Sequence, residues 1–207
     1  MKEIQELISI IERLLAPDGC PWDREQTLQS MRGCLLEETY EVIEAINLDD
    51  NFKIEEELGD LLFNVLFLGK LAEKEHRFFI ENVAQHIVAK LIRRHPHVFG
   101  EATANNSEEV LKQWEEIKQK EKPTAQTNLF STIPINLPAL IRAQKMVKKL
   151  KKAGVSLTSL IPTQDVSEEQ ALVNTLFELV IQAEQKNIDI EQALSHFLTQ
   201  AQNQFET

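Results

Sequence analysis

Apolar residues recur at helical spacing along almost the whole chain. In residues 2–15 they fall at Ile4, Leu7, Ile8, Ile11, Leu14 and Leu15, the i, i+3, i+4, i+7 series of an amphipathic helix. The run Pro17-Asp18-Gly19-Cys20-Pro21 breaks that helix, since proline and glycine both favour turns over helix interiors. The same period predicts helices over 27–47, 53–74, 79–94, 107–122, 139–153, 168–185 and 189–205, with Ser107 as the N-cap of its helix. Residues 123–138 contain Pro123, Pro134 and Pro138 and read as a linker. The pattern predicts an all-α protein with one helical half at 1–122 and another at 139–207. A few amphipathic helices per half leave apolar faces to cover, so a bundle completed by a second copy, a homodimer, is expected.

Two of these helices depart from the simple amphipathic plan. On a wheel of 35–46, Leu35, Thr39, Val42, Ile43 and Ile46 share one arc, and Glu37, Glu41 and Glu44 share the other. Glu38 stands at the seam, one turn from Glu41, so these two carboxylates can meet at the edge of a core. The helix over 54–68 is apolar almost all round, which predicts burial. Its polar residues Glu57, Asp60 and Asn64 line a single stripe. Carboxylates in such a place are costly unless paired or bound to metal. Two pairs on neighbouring helices offer four hard oxygen donors, which suit Mg²⁺ or Mn²⁺. Zinc would want His or Cys, and none stands at suitable spacing. The competing explanation is an acidic face neutralised by lysines. Between Glu37 and Asp60, however, ten acids are accompanied only by Lys53. A di-iron carboxylate bundle needs two inward Glu-x-x-His pairs, and near these helices only Glu73 and His76 have that spacing.

Composition narrows the classes further. Gly and Pro make up 13 of 207 residues, too few for the tight turns of a sandwich or barrel. No apolar run is long enough for a transmembrane helix, and Met1 to Glu6 carries no signal-peptide pattern. Cys20 and Cys34 form neither a disulfide framework nor a zinc pattern. A cytoplasmic location and no membrane partner are expected. The net charge of −11 is uneven: residues 1–122 carry 25 acids and 15 bases, and residues 123–207 carry 8 and 7. That sign argues against a nucleic-acid partner.

The second half repeats the first. Glu57-Leu-Gly-Asp60-Leu-Leu-Phe63 aligns with Ala171-Leu-Val-Asn174-Thr-Leu-Phe177, and the segment from Ile80 to Lys90 aligns with Ile190 to Gln200. The apolar frame survives across a connection four residues shorter. The charges do not: Glu57 becomes Ala171, Asp60 becomes Asn174, Lys90 becomes Gln200, and Arg93 and Arg94 become Asn203 and Gln204. Residues 139–207 therefore read as a copy that kept its packing and lost its chemistry.

Basic and aromatic residues complete the candidates. Lys90 and Arg94 share a helix face with Arg93 beside them, placed either to hold phosphates or to solvate a helix C-terminus. His95 and His97 flank a helix-ending Pro96 and read as capping or packing residues. Trp114 and Lys118 stand one turn apart, as a nucleobase platform with a cation or as a packing tryptophan. Trp22 reads as a packing anchor.

Several words in order then carry a resemblance: Gly19-Cys-Pro-Trp-Asp23, Glu37-Glu38-Thr-Tyr-Glu41, Glu57-Leu-Gly-Asp60-Leu-Leu-Phe63, Lys90-Leu-Ile-Arg-Arg-His-Pro-His-Val-Phe99 and Trp114-Glu-Glu-Ile-Lys118. Together they resemble the MazG family of nucleoside triphosphate pyrophosphohydrolases and its EExxE…ExxD signature, over residues 4–122. The linker words Leu137 to Lys145 resemble the segment that joins the halves of two-domain members. The resemblance implies an all-α, usually dimeric NTP pyrophosphatase fold and hydrolysis of nucleoside triphosphates to monophosphate and pyrophosphate. By motif position it implies Glu38, Glu41, Glu57 and Asp60 as metal ligands. Glu37 or Glu41 would orient or deprotonate water. Lys90, Arg93, Arg94, Trp114 and Lys118 would contact substrate, with Lys90 and Arg94 holding the leaving pyrophosphate. The alternatives are a non-catalytic nucleotide-binding module and a narrow-substrate pyrophosphohydrolase of the phosphoribosyl-ATP type.

Overall fold

A computed structural model of the chain describes residues 2–121, 129–157, 161 and 167–205. Every regular element among them is helical. The first compact unit, Met1–Gln119, contains α1 (Lys2–Leu15), α2 (Pro21–Glu25), α3 (Arg32–Asn47), α4 (Asn51–Lys74), α5 (Ile80–Arg94), α6 (Pro96–Phe99) and all but the last residue of α7 (Ser107–Lys120). The second, Lys120–Thr207, contains α8 (Ala139–Lys152), α9 (Glu168–Gln185) and α10 (Ile190–Phe205). The boundary expected at residues 122 and 123 lies outside the described residues.

The long helices fall where the periodicity places them. The short ones do not announce themselves, because α2 and α6 are each about one turn, less than a repeat of the pattern. Both begin on a proline, Pro21 and Pro96, whose fixed φ suits a first helical position. The N-cap of α7 is Asn106, not Ser107: Asn106 Oδ1 accepts from the Glu109 N–H at 2.9 Å, and the Glu109 carboxylate reaches back to the Asn106 amide at 3.1 Å. Asparagine presents its oxygen as well as serine does at this place.

In the first unit α4 is the central helix, packed against α1, α3 and α5. Its C-terminal half forms the core, where Leu66, Phe67 and Leu71 meet Ile11 of α1 and Met31. Phe63 stacks obliquely on Phe67, with ring centroids 5.3 Å apart. Gly69 lets α5 approach, because a Cβ there would lie 2.5 Å from Ile80 Cδ1. The N-terminal half of α4 is different. The all-round apolar pattern predicts burial, yet Leu58 is 48% exposed and Val65 43%. Only α3 covers that stretch extensively, and the apolar residues on its far side face outward. Trp22, expected to anchor packing, is likewise 58% exposed.

An ion-pair clamp ties α1 to the core half of α4. Lys70 Nζ lies 2.7 Å from both Glu12 and Glu73 carboxylates, and its side chain is 11% exposed. Burial alone would lower the Lys70 pKa, but the hydrogen bonds to Glu12 and Glu73 outweigh it and raise it above 10.5. A folded-state pKa above the unfolded one means that this contribution is complete below pH 10.5 and is lost as pH rises through the raised value. Lys70→Glu should lower the melting temperature at pH 7 by the equivalent of about 1–3 kcal/mol. Adding Glu12→Lys should recover part of the loss. A Lys70→Glu chain as stable as the parent would show that the clamp contributes nothing.

Candidate metal and phosphate site

The α3–α4 hairpin sets the site. Helix α3 ends with Asp49 in a left-handed conformation, φ 53°, and the Asp50 N–H returns to the Ala45 carbonyl at 3.2 Å. The Asp50 side chain then caps α4, accepting from the N–H groups of Phe52 and Lys53 at 3.1 and 3.2 Å. Two of the ten acids in this region therefore shape the turn. In an antiparallel hairpin, residues equidistant from the turn stand level. Glu41 and Glu57 are each eight residues from Asp49, and Glu38 and Asp60 are each eleven. The tight turn thus converts sequence spacing into two facing carboxylate pairs.

The geometry follows that register. Carboxylate oxygens of Glu38, Glu41 and Glu57 all lie within 4.8 Å of one another. Asp60 falls outside that tight group but stands close enough to act on Glu38 and Glu57 electrostatically. Glu38 and Glu57 are half-buried, whereas Glu41 and Asp60 are exposed. The expectation that the whole stripe is buried therefore fails at Asp60, which is exposed at the edge of the α3–α4 seam.

Burial and crowding together act on the protonation of two of these groups. The Glu38 pKa is raised above the ordinary 4.5 by burial first, then by Asp60 and Glu41, with a Glu41 hydrogen bond and Glu57 adding to the effect. The Glu57 pKa is raised by burial, then by Glu41, Glu56 and Asp60, against a lowering by Lys53. Carboxylates this close share protons or take a cation instead. The donor set fits a hard divalent ion. Octahedral coordination at about 2.1 Å puts ligand oxygens roughly 3.0–4.2 Å apart, close to the spacing present, and the group contains no thiol or imidazole that would select zinc. Glu37 is exposed and lies outside the group of three, one turn before Glu41 on α3.

The basic candidates form a separate cluster. Lys90, Arg93 and Arg94 lie on α5, a helix with no buried residue. Arg94 stands over the Trp114 ring at 5.7 Å and Lys118 at 4.5 Å. Both distances lie in the cation–π range, so Trp114 gathers cations from two helices. Lys118 also lies 3.8 Å from Glu115. His95 ends α5 and caps it, its Nδ1 donating to the Leu91 carbonyl at 2.7 Å. His97 packs edge-on against it at 5.6 Å. Both histidines behave as capping and packing residues.

The comparisons with known proteins agree with the motif. The family model described as the MazG nucleotide pyrophosphohydrolase domain matches residues 26–99, which contain the whole hairpin. A nucleoside triphosphate pyrophosphohydrolase of Escherichia coli (strain K12) is 43% identical over 191 residues, covering 91% of this chain and 71% of that protein. A nucleoside triphosphate pyrophosphohydrolase/pyrophosphatase MazG of Thermotoga maritima is 37% identical over 205 residues, covering 92% and 79%. The crystal structure of a mazG-related protein from Thermotoga maritima superimposes with a TM-score of 0.50 at 33% identity, covering 56% of this chain and 98% of that one. The chain belongs to the MazG family.

Proposed function

We propose that the chain hydrolyses nucleoside triphosphates to the monophosphate and pyrophosphate, at a Mg²⁺ or Mn²⁺ site made by Glu38, Glu41, Glu57 and Asp60. The observation that carries this is the level pairing of carboxylates on the α3–α4 hairpin, with three of them within 4.8 Å. Similarity to named pyrophosphohydrolases over most of the chain supports the reaction. A divalent cation held by these carboxylates would neutralise charge on the triphosphate and polarise the bond to be broken. Glu38 and Glu57, half-buried, hold their carboxylates in place. Glu41 or Glu37 accepts a proton from the attacking water. As the water oxygen bonds to phosphorus, the α–β bridging bond breaks and pyrophosphate leaves with the electron pair. Lys90 and Arg94 steady that leaving charge, with Arg93 beside them. Trp114 contributes by holding Arg94 and Lys118 toward the phosphates.

The outward apolar faces support a homodimer. Ile43, Ile46 and Leu58 are 45%, 56% and 48% exposed, and Ile87 and Leu91 on α5 are 43% and 46% exposed. These faces are proposed to meet those of a second copy. Such a contact would cover the side of α4 left open in one chain.

The second unit is proposed as the copy without chemistry. Aligning Val147 (1% exposed) with Ile11 (0%) places Lys148 on Glu12. Extending the α9 frame places Glu184 on Lys70. These are the partners of the clamp, with the charges exchanged: Lys148 lies 3.8 Å from Glu184. Helices α9 and α4 also end alike, with Asn187 and His76 left-handed at φ 55° and 56°. Among the described residues, no α9 carboxylate stands where Glu57 and Asp60 stand.

Three outcomes test this function. Metal-dependent pyrophosphate release from a panel of NTPs and dNTPs should fall by at least about a hundredfold in Glu38→Gln and in Asp60→Asn. Release unchanged in both would move the chemistry elsewhere. The second outcome is read in melting curves with and without the cation. A raised carboxyl pKa gives stability that is complete below the ordinary 4.5 and declines as pH rises through the raised value. The metal-free protein therefore carries an unfavourable charge cluster at neutral pH. Mg²⁺ should raise the melting temperature more at pH 7.5 than at pH 5, and Glu38→Gln should remove the difference. Equal shifts at both pH values would count against cation binding here. Finally, light scattering should give twice the chain mass, and Ile43→Glu should shift it toward one; a parent that scatters as a single chain rejects the dimer.

A further inference from the structure

Asn64 is 3% exposed, more deeply buried than Asp23 at 8% or Glu184 at 6%. On α4 it lies one turn beyond Asp60 and two beyond Glu57, on the same stripe. Counted from Asp49 it stands fifteen residues along, level with Cys34 of α3, a half-buried free thiol. The Asn64 side chain forms no hydrogen bond to another described residue. Neither of its amide atoms is among the sealed unpaired ones, which are His97 Nδ1 and Gln113 Oε1. The amide is therefore enclosed but not shut into the core. A buried amide without a partner is costly, and such a group in a native chain calls for a reason.

The stripe changes character at its far end. Glu57 is half-buried and Asp60 exposed, both charged, whereas Asn64, one turn further on, is buried and uncharged. Phosphates and their cation belong where charge stays hydrated, at the carboxylates. The neutral part of the substrate belongs at the enclosed end, where Asn64 offers both a donor and an acceptor between apolar neighbours. The rise from Asp60 to Asn64 is about 6 Å, enough to pass from the phosphates to the sugar and base. In the second unit the repeat places Glu178 at this position, and it is exposed. The half without the carboxylates also lacks the enclosed amide.

We propose that Asn64 hydrogen-bonds the nucleoside of the substrate and sets discrimination among nucleotides. This rests on the function proposed above. A site built to hydrogen-bond a substrate group rejects analogues lacking it far more strongly than an apolar site does.

The test uses the full chain with Mn²⁺ and calorimetric binding of α,β-imido nucleotides, which are not hydrolysed at the scissile bond. Inorganic tripolyphosphate serves as the probe that lacks a nucleoside. Asn64→Leu should weaken the best-bound nucleotide at least tenfold and flatten the preference across bases and sugars. Mn²⁺ and tripolyphosphate should bind it as they bind the parent. Asn64→Ser, which keeps one hydrogen-bonding group, should fall between and serves if the leucine variant does not fold. Unchanged nucleotide binding in both variants would overturn the proposal. So would a loss shared equally by tripolyphosphate, which would place Asn64 with the metal and phosphates. A parent that binds these nucleotides but releases no pyrophosphate from natural ones would reject the hydrolase reading while leaving the Asn64 contact standing.

Discussion

Like-charge repulsion between two adjacent helices is the constraint around which the first unit is organised. Glu38, Glu41, Glu57 and Asp60 face one another across the α3–α4 hairpin, and burial first, then this repulsion, raises the pKa of Glu38 and Glu57. Something must hold those helices together against it. The core does so from one end: Leu66, Phe67 and Leu71 pack on Ile11 and Met31. The turn does so from the other, with Asp49 and Asp50 closing α3 and capping α4 within three residues. The carboxylates sit between these two anchors. Neither anchor can slip by a residue without moving Glu38 out of register with Asp60.

Much of this was legible in the sequence, and the pattern of misses is physical. Each long helix has an apolar period of three or more turns, so its existence could be read, and so could the stripe of Glu57, Asp60 and Asn64. Helices α2 and α6 are too short to show a period. The α7 cap was misplaced by one residue because asparagine and serine cap equally well. Exposure was the larger miss. Periodicity reports which residues are apolar, not which neighbour covers them. The face carrying Leu58 and Val65 therefore looked like core, although it is open in a single chain. Trp22 was overestimated as an anchor for the same reason. The level pairing of the carboxylates could have been found by counting from Asp49, once the turn was known to be tight.

Each of the two interhelical ion pairs has one shielded and one exposed partner, and together they support the proposed reading of the second unit as a repeat whose charges have drifted. Glu12 and Lys70 in the first unit answer to Lys148 and Glu184 in the proposed second copy, with the charges exchanged. An exchanged pair keeps the attraction within each unit. It also puts like charges together if α1 meets α9, or if α8 meets α4. Two similar helical units on one chain can mispair during folding, and opposite polarity at the two half-exposed ion pairs disfavours that outcome.

Helix α4 divides its work along its length, and this explains why packing and chemistry could separate in the repeat. Its C-terminal half, from Leu66 onward, is core and depends on apolar volume. Its N-terminal half, from Glu57 to Asp60, depends on charge. Asn64 lies at the junction, buried like the first and polar like the second. In the proposed second copy Ala171 and Asn174 stand in place of Glu57 and Asp60, at positions that are exposed or half-buried rather than core. The core positions have no such freedom: Ile11 and Val147 are both apolar and both sealed. A copy released from its reaction would lose its carboxylates first and its core last, and the proposed reading of residues 139–207 rests on that order.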